Sequence, residues 1–125
     1  MKVKDIMKKI MAVDDVSLKQ AAKIMAEKKV GSLVVMEDDK IEGIITERDV
    51  LKNVDRLQSK VSKIMTNKVI TISQDASIDE AARLMRDNCI KRIPVMKGEV
   101  IMGIVTATDV IANSDALNEN FLFDD

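Results

Sequence analysis

Two segments of this chain carry the same potential chemistry. Gly43-Ile44-Ile45-Thr46-Glu47-Arg48-Asp49-Val50 returns sixty residues later as Gly103-Ile104-Val105-Thr106-Ala107-Thr108-Asp109-Val110. In each copy a β-branched run leads into Thr-x-x-Asp, the pattern of a strand entering a helix. Such a junction brings together a turn, unpaired backbone N–H groups and two oxygen-bearing side chains. These are the parts of a small-ligand cradle, present twice. The bland reading of the same residues is a helix N-cap followed by an acid in the first turn, and one threonine hydroxyl can serve both purposes.

Other chemistries have little to stand on. The 125 residues contain no histidine and no tyrosine, and the acids form no cluster at ligand spacing. The commonest general base and metal ligand are therefore missing, and no metal site and no enzyme activity are expected. Cys89 is the only cysteine, so no intrachain disulfide forms; at a helix end beside Ile90 it reads as a small buried or half-buried residue. A formal net charge of −1 with interspersed signs gives no large basic field for nucleic acid or an anionic membrane. The longest apolar runs fall well short of the roughly 20 residues of a membrane span, and no signal-peptide pattern opens the chain. A cytoplasmic location is expected.

The elements that must position the echoed segments also repeat. Ser17-x-x-Gln20 and Ser77-x-x-Glu80 read as capping boxes that open helices, with Leu18, Ala21, Ala22, Met25 and Ile78, Ala81, Ala82, Met85 at i, i+3, i+4, i+7. These stripes are core, rich in alanine and methionine so that a sheet can approach closely. Ser32 to Met36, the turn Glu37 to Lys40, and Ile41 to Ile45 form a hairpin. Lys91 to Met96, the turn Lys97 to Glu99, and Val100 to Val105 form its counterpart, with Pro94 acceptable only at an edge or irregular position. Second helices run from Glu47 to about Val54 and from Ala107 to about Asn113. Val69 to Ile72 reads as a strand, and Ala12-Val13 as its shorter equivalent.

The unit is thus β-α-β-β-α, and twelve of the 37 positions from 16 to 52 are identical to those from 76 to 112. Upstream, Val3-Lys4-Asp5-Ile6-Met7 matches Val61-Ser62-Lys63-Ile64-Met65 at an offset of 58. A period near sixty with two copies is a duplicated half-domain rather than a solenoid. The expected fold is α+β, of α/β type, with two repeats packed about a pseudo-twofold axis. Its expected divisions are 1–60, 61–113 and a tail, 114–125.

This order of elements, with Gly-hydrophobic-hydrophobic-Thr-x-x-Asp at the last strand-to-helix junction and Asp-Ile-Met or Lys-Ile-Met at the start, resembles the CBS domain, named after cystathionine β-synthase. Two in tandem resemble a Bateman module. The resemblance covers residues 3 to 112. It implies clefts between the paired repeats that bind an adenosyl ligand such as AMP, ADP, ATP or S-adenosylmethionine. It also implies that Asp49 and Asp109 accept from ribose hydroxyls, that Thr46 and Thr106 donate to phosphate, and that Lys91 and Arg92 contact phosphate. Carboxylates suit a cis-diol as acceptor-only groups, and phosphate suits a helix N-terminus. Gly31 and Ser32 would let a base or phosphate approach the backbone. Arg48 is a further phosphate candidate.

The copies differ where ligand choice is decided. Gly31, Ser32 and Arg48 face Lys91, Arg92 and Thr108, so the two sites are not expected to be alike, and the more basic one should prefer a longer polyphosphate. Both phenylalanines, Phe121 and Phe123, lie in the tail. A bound base must then rest between aliphatic side chains such as Val13, Ile72, Ile44 and Ile104, and single-stranded RNA lacks its usual aromatic platforms. The reading is a regulatory ligand-binding module that signals through conformational or assembly change. Its alternative is a ligand-independent dimeric scaffold whose tail recruits a partner. The resemblance implies a homodimer, and any output passes through a separate effector protein.

Overall fold

The computed structural model describes residues 1–113. In chain order the elements are α1 (Val3–Ile6), β1 (Ala12–Val13), α2 (Leu18–Lys28), β2 (Ser32–Glu37), β3 (Lys40–Thr46), α3 (Glu47–Lys52), β4 (Ile72–Ser73), α4 (Ile78–Asn88), β5 (Arg92–Lys97), β6 (Val100–Thr106) and α5 (Ala107–Ala112), with 3₁₀ turns at Val54–Arg56 and Val61–Lys63. They form two compact units. The first is Ile10–Val69; the second joins Met1–Lys9 to the chain from Ile70 onward. Each is an α+β unit of β-α-β-β-α order.

In the first unit, β1 runs parallel to β2 and β2 antiparallel to β3. Helix α2 starts where Ser17 Oγ accepts the Gln20 N–H at 3.1 Å. It stops at Lys29, whose φ of 56° is left-handed. Helix α4 of the second unit repeats this, with Ser77 Oγ accepting the Glu80 N–H at 3.1 Å and a stop at Cys89, φ 54°. Only half of each expected capping box forms among the described residues: the serine accepts, but no bond returns from Gln20 or Glu80. Cys89 is exposed, which corrects the expectation of a buried residue. As the left-handed cap it turns the chain out of the helix, as Lys29 does, and points away from the core.

Pro94 lies one residue before a register shift, at a place that is locally an edge. It sits in β5, the central strand of the order β4-β5-β6, opposite Ile104. It is tolerated because β4 pairs only with Val95 and Met96, so the missing N–H falls beyond the parallel ladder. At the matching position of the first unit, Val34 N–H donates to Met11 O at 2.9 Å. Proline cannot make that bond, and the strand expected over 69–72 is reduced to Ile72–Ser73.

The apolar stripes find their places except at Ala22, which is half-buried and outside the core of the first unit. Leu18, Ala21 and Met25 pack with Leu33, Val35, Ile45 and Val61 in the first unit. Ile78, Ala81, Ala82 and Met85 pack with Ile72, Ile93, Val95, Val105, Val110 and Val3 in the second.

Val61 and Val3 reveal that the compact units are not the sequence copies. The segment at 61–66, which leads into the second copy, folds onto the first: Val61 N–H donates to Val16 O at 2.8 Å, and Ile44 and Thr66 exchange bonds of 3.1 and 3.0 Å. The segment at 3–8, which leads into the first copy, folds onto the second: Val3 N–H donates to Ala76 O at 2.9 Å, and Lys8 and Ile104 exchange bonds of 2.8 and 3.0 Å. Gly43 and Gly103 make these approaches possible. A Cβ on Gly43 would lie 2.8 Å from Thr66 O, and one on Gly103 would lie 2.7 Å from Lys8 O. The glycine that opens each echoed segment therefore serves a close approach in mid-strand.

Candidate functional site

Each echoed segment builds a strand-to-helix junction closed by a reciprocal cap. Thr46 ends β3 in extended geometry and caps α3. Its Oγ1 accepts the Asp49 N–H at 3.3 Å and donates to Asp49 Oδ2 at 3.0 Å, while its own N–H donates to the same oxygen at 2.8 Å. In the second unit Thr106 Oγ1 accepts the Asp109 N–H at 3.2 Å and donates to Asp109 Oδ2 at 2.8 Å, and its N–H reaches that oxygen at 3.1 Å. The helix ends are pinned too, since Asn53 and Asn113 donate from Nδ2 to the carbonyls of Asp49 and Asp109 at 2.7 Å. These asparagines were detectable in the sequence as one more identity at the sixty-residue offset.

The cap leaves one carboxylate oxygen for other work. Oδ2 is taken by the threonine in both copies, and the threonine hydroxyl spends its one proton there. To donate to a phosphate, that hydroxyl must turn away from the aspartate. Oδ1 of Asp49 has no hydrogen-bond partner among the described residues. Oδ1 of Asp109 instead lies 3.0 Å from Lys8 Nζ, an ion pair in which the carboxylate side chain is 7% exposed and the lysine 64%.

The sheet brings several of the other candidates to these junctions. Ser32 pairs with Thr46, and Arg92 pairs with Thr106. Gly31 O accepts the Glu47 N–H at 3.1 Å, and Lys91 O accepts the Ala107 N–H at 2.8 Å. Arg92 is half-buried, whereas Arg48 and Lys91 are exposed. Strand alternation sets Ile44 on the face of Thr46 and Ile104 on the face of Thr106, opposite the core residues Ile45 and Val105. Both isoleucines are half-buried and stand outside the core clusters. Val13 packs against the core of the first unit, and Ile72 belongs to the core of the second. Phe121, Phe123 and the rest of the tail lie outside the described residues.

Sequence reasoning did not find Lys8. Its signal was the offset of 58, which sets Lys8 opposite Thr66. A second feature of the first unit is a cavity of about 380 Å³ beside the hairpin turn, lined by Asp14, Asp15, Val35, Met36, Glu37, Asp38, Glu42, Ser62 and Met65. It contains none of the candidate residues, and its acidic wall disfavours an anion. On it, Ser62 donates to Asp15 from its backbone N–H at 2.9 Å and its hydroxyl at 2.8 Å. The backbone bond first, then the hydroxyl, with Lys60 and Lys63 assisting against the effect of burial, hold the Asp15 carboxyl below its ordinary range. Among the described residues no group of three or more His, Cys, Asp or Glu is placed to hold a metal ion. No helix there is long and apolar enough to cross a membrane.

Two copies of one junction thus stand in units of matching strand order. The family described as the CBS domain matches residues 3–56 and 61–115. The chain belongs to the CBS-domain family. Among its relatives, the mitochondrial CBS domain-containing protein CBSX3 of Arabidopsis thaliana is 38% identical over 107 residues, covering 78% of this chain and 52% of that protein. Protein MJ1232 of Methanocaldococcus jannaschii is 35% identical over 107 residues, 84% of this chain and 36% of that one. The chain thus spans a third to a half of the length of these curated relatives. Among solved structures, the CBS domain pair of protein MJ0100, in complex with 5-methylthioadenosine and S-adenosyl-L-methionine, superimposes with a TM-score of 0.82 at 32% identity, covering 90% of this chain and 94% of that one. The tandem CBS pair and its fold are therefore common to this chain and the MJ0100 pair.

Proposed function

We propose that this CBS pair is a regulatory module, without catalytic turnover, that binds an adenosyl compound at its Thr-x-x-Asp junctions and signals by a change of conformation or assembly. The observation that carries the proposal is the unpaired Oδ1 of half-buried Asp49: the reciprocal cap fixes the carboxylate, occupies one oxygen and leaves the other as an acceptor for a sugar hydroxyl. The MJ0100 pair, solved with two adenosyl compounds, supports the choice of ligand class. Asp49 and Asp109 take the ribose; Ser32 and Thr46, or Arg92 and Thr106, stand beside whatever the ribose carries; Ile44 and Ile104 offer aliphatic contact to the base. Adenine nucleotides (AMP, ADP and ATP) and S-adenosylmethionine are the compounds to test. Pairing into a homodimer and output through a separate effector protein complete the proposal.

Thermal unfolding with and without AMP, ADP, ATP, 5′-methylthioadenosine and S-adenosylmethionine tests it. A ligand at about 100 times its Kd stabilises the folded state by roughly 2.7 kcal/mol, a readily measured rise in Tm. A panel at millimolar concentration that leaves Tm unmoved removes the proposal.

A further inference from the structure

The two junctions share their cap but not their charge. Around that of the first unit stand Glu47, Arg48 and Asp49, with Thr66 in the segment bridged to Ile44; around that of the second stand Asp109, Lys91 and Arg92, with Lys8 in the segment bridged to Ile104. The first set is acidic on balance and the second basic. The structure ties Lys8 to the second junction at both backbone and side chain. Its backbone is tied to β6 by bonds of 2.8 and 3.0 Å in both directions, and its Nζ lies 3.0 Å from the one carboxylate oxygen that the cap leaves over. The ammonium is a compact charge with three donors on a flexible stem. One donor meets Asp109, and with the side chain 64% exposed the others face outward. A ligand whose ribose meets Asp109 Oδ1 therefore also meets that ammonium.

Resting on the function proposed above, we infer that Lys8 is the specificity-determining residue of the second unit's junction: it makes that junction select adenosyl ligands bearing a phosphate, while Thr66 leaves the first junction to uncharged ones. Lys8 acts in two senses. It competes with a ribose hydroxyl for Asp109 Oδ1, which penalises a plain nucleoside, and it supplies charge to a phosphate, which compensates a nucleotide. A residue at the start of the chain thus sets the ligand preference of the second repeat.

Calorimetry of the full chain with AMP and with adenosine reads this preference directly. In Lys8→Thr, which installs the residue of the other copy on the same backbone bonds, the AMP-to-adenosine affinity ratio at the phosphate-selective site falls by about tenfold, the order of one charge-assisted hydrogen bond. Lys8→Arg keeps the ratio, and Thr66→Lys creates a second phosphate-selective site. Far-UV circular dichroism and urea midpoints establish that each variant folds. A ratio within twofold of the wild type in Lys8→Thr, or an equal loss in Lys8→Arg, overturns the inference while leaving the proposed function intact. A wild-type chain that binds neither compound overturns both.

Discussion

Replacing Gly103 by alanine tests whether the N-terminal segment is clamped to β6. The added Cβ would lie 2.7 Å from Lys8 O and 2.9 Å from Met7 Sδ. The thioether can turn aside, but a carbonyl oxygen moves only with its peptide plane. That plane accepts the Ile104 N–H at 3.0 Å, and the plane before it donates the Lys8 N–H to Ile104 O at 2.8 Å. Relief of the clash therefore lifts the segment and weakens both bonds, a loss of about 1–3 kcal/mol. Val3, on the same segment, is 0% exposed, and uncovering it fully would add about 1.5–3 kcal/mol. The lower entropy of the unfolded alanine chain offsets roughly 0.4–1 kcal/mol. Since Val3 need be only partly uncovered, the expected net destabilisation is about 2–4 kcal/mol. Urea unfolding followed by far-UV circular dichroism measures it, and trypsin should cut faster after Lys4, Lys8 and Lys9. Gly98→Ala is the contrast: nothing lies within 4 Å of its Cβ, and only its φ of +61° resists substitution, a cost of about 1 kcal/mol. If Gly103→Ala loses less than about 0.5 kcal/mol, with tryptic cleavage unchanged, the clamp is refuted.

Cys89→Gly should stabilise the chain by up to about 1 kcal/mol, because an exposed residue held at φ 54° gains from glycine's freedom there; a lower urea midpoint would contradict this. Asp109→Ala should weaken adenosine at the second unit's junction by about tenfold or more yet leave a ligand lacking both ribose hydroxyls little changed; equal losses would remove Asp109 from ribose recognition. Asp15, its carboxyl pKa lowered in the folded state chiefly by the Ser62 N–H, contributes stability that is full above the ordinary carboxylate pKa of about 3.9 and is lost as pH falls through the lower folded value. Asp15→Asn should therefore flatten the dependence of urea midpoints on pH in the acid range, and parallel curves for variant and wild type would rule this out.

The sequence by itself determined the repeat, the β-α-β-β-α order of each unit, most of the apolar stripes and the Thr-x-x-Asp caps, but not the helix at Val3–Ile6. All of these depend on neighbours within one turn of helix or one strand, where periodicity and hydrogen-bond capacity decide the outcome. It also placed the candidate residues at junctions, because a cap at i, i+3 is local. What it left open was which segment each glycine admits, since Gly43 and Gly103 are explained by carbonyls far along the chain. Only the tertiary structure decided that 3–8 folds onto the second copy and 61–66 onto the first. Lys8 illustrates the reason: a lysine has no preferred neighbour in sequence, and its partner Asp109, 101 residues away, is chosen by the pairing of its backbone with Ile104. Even the copies' shared cap takes its electrostatic character from that distant pairing, with Lys8 beside Asp109 and Thr66 at the equivalent backbone position of the first unit.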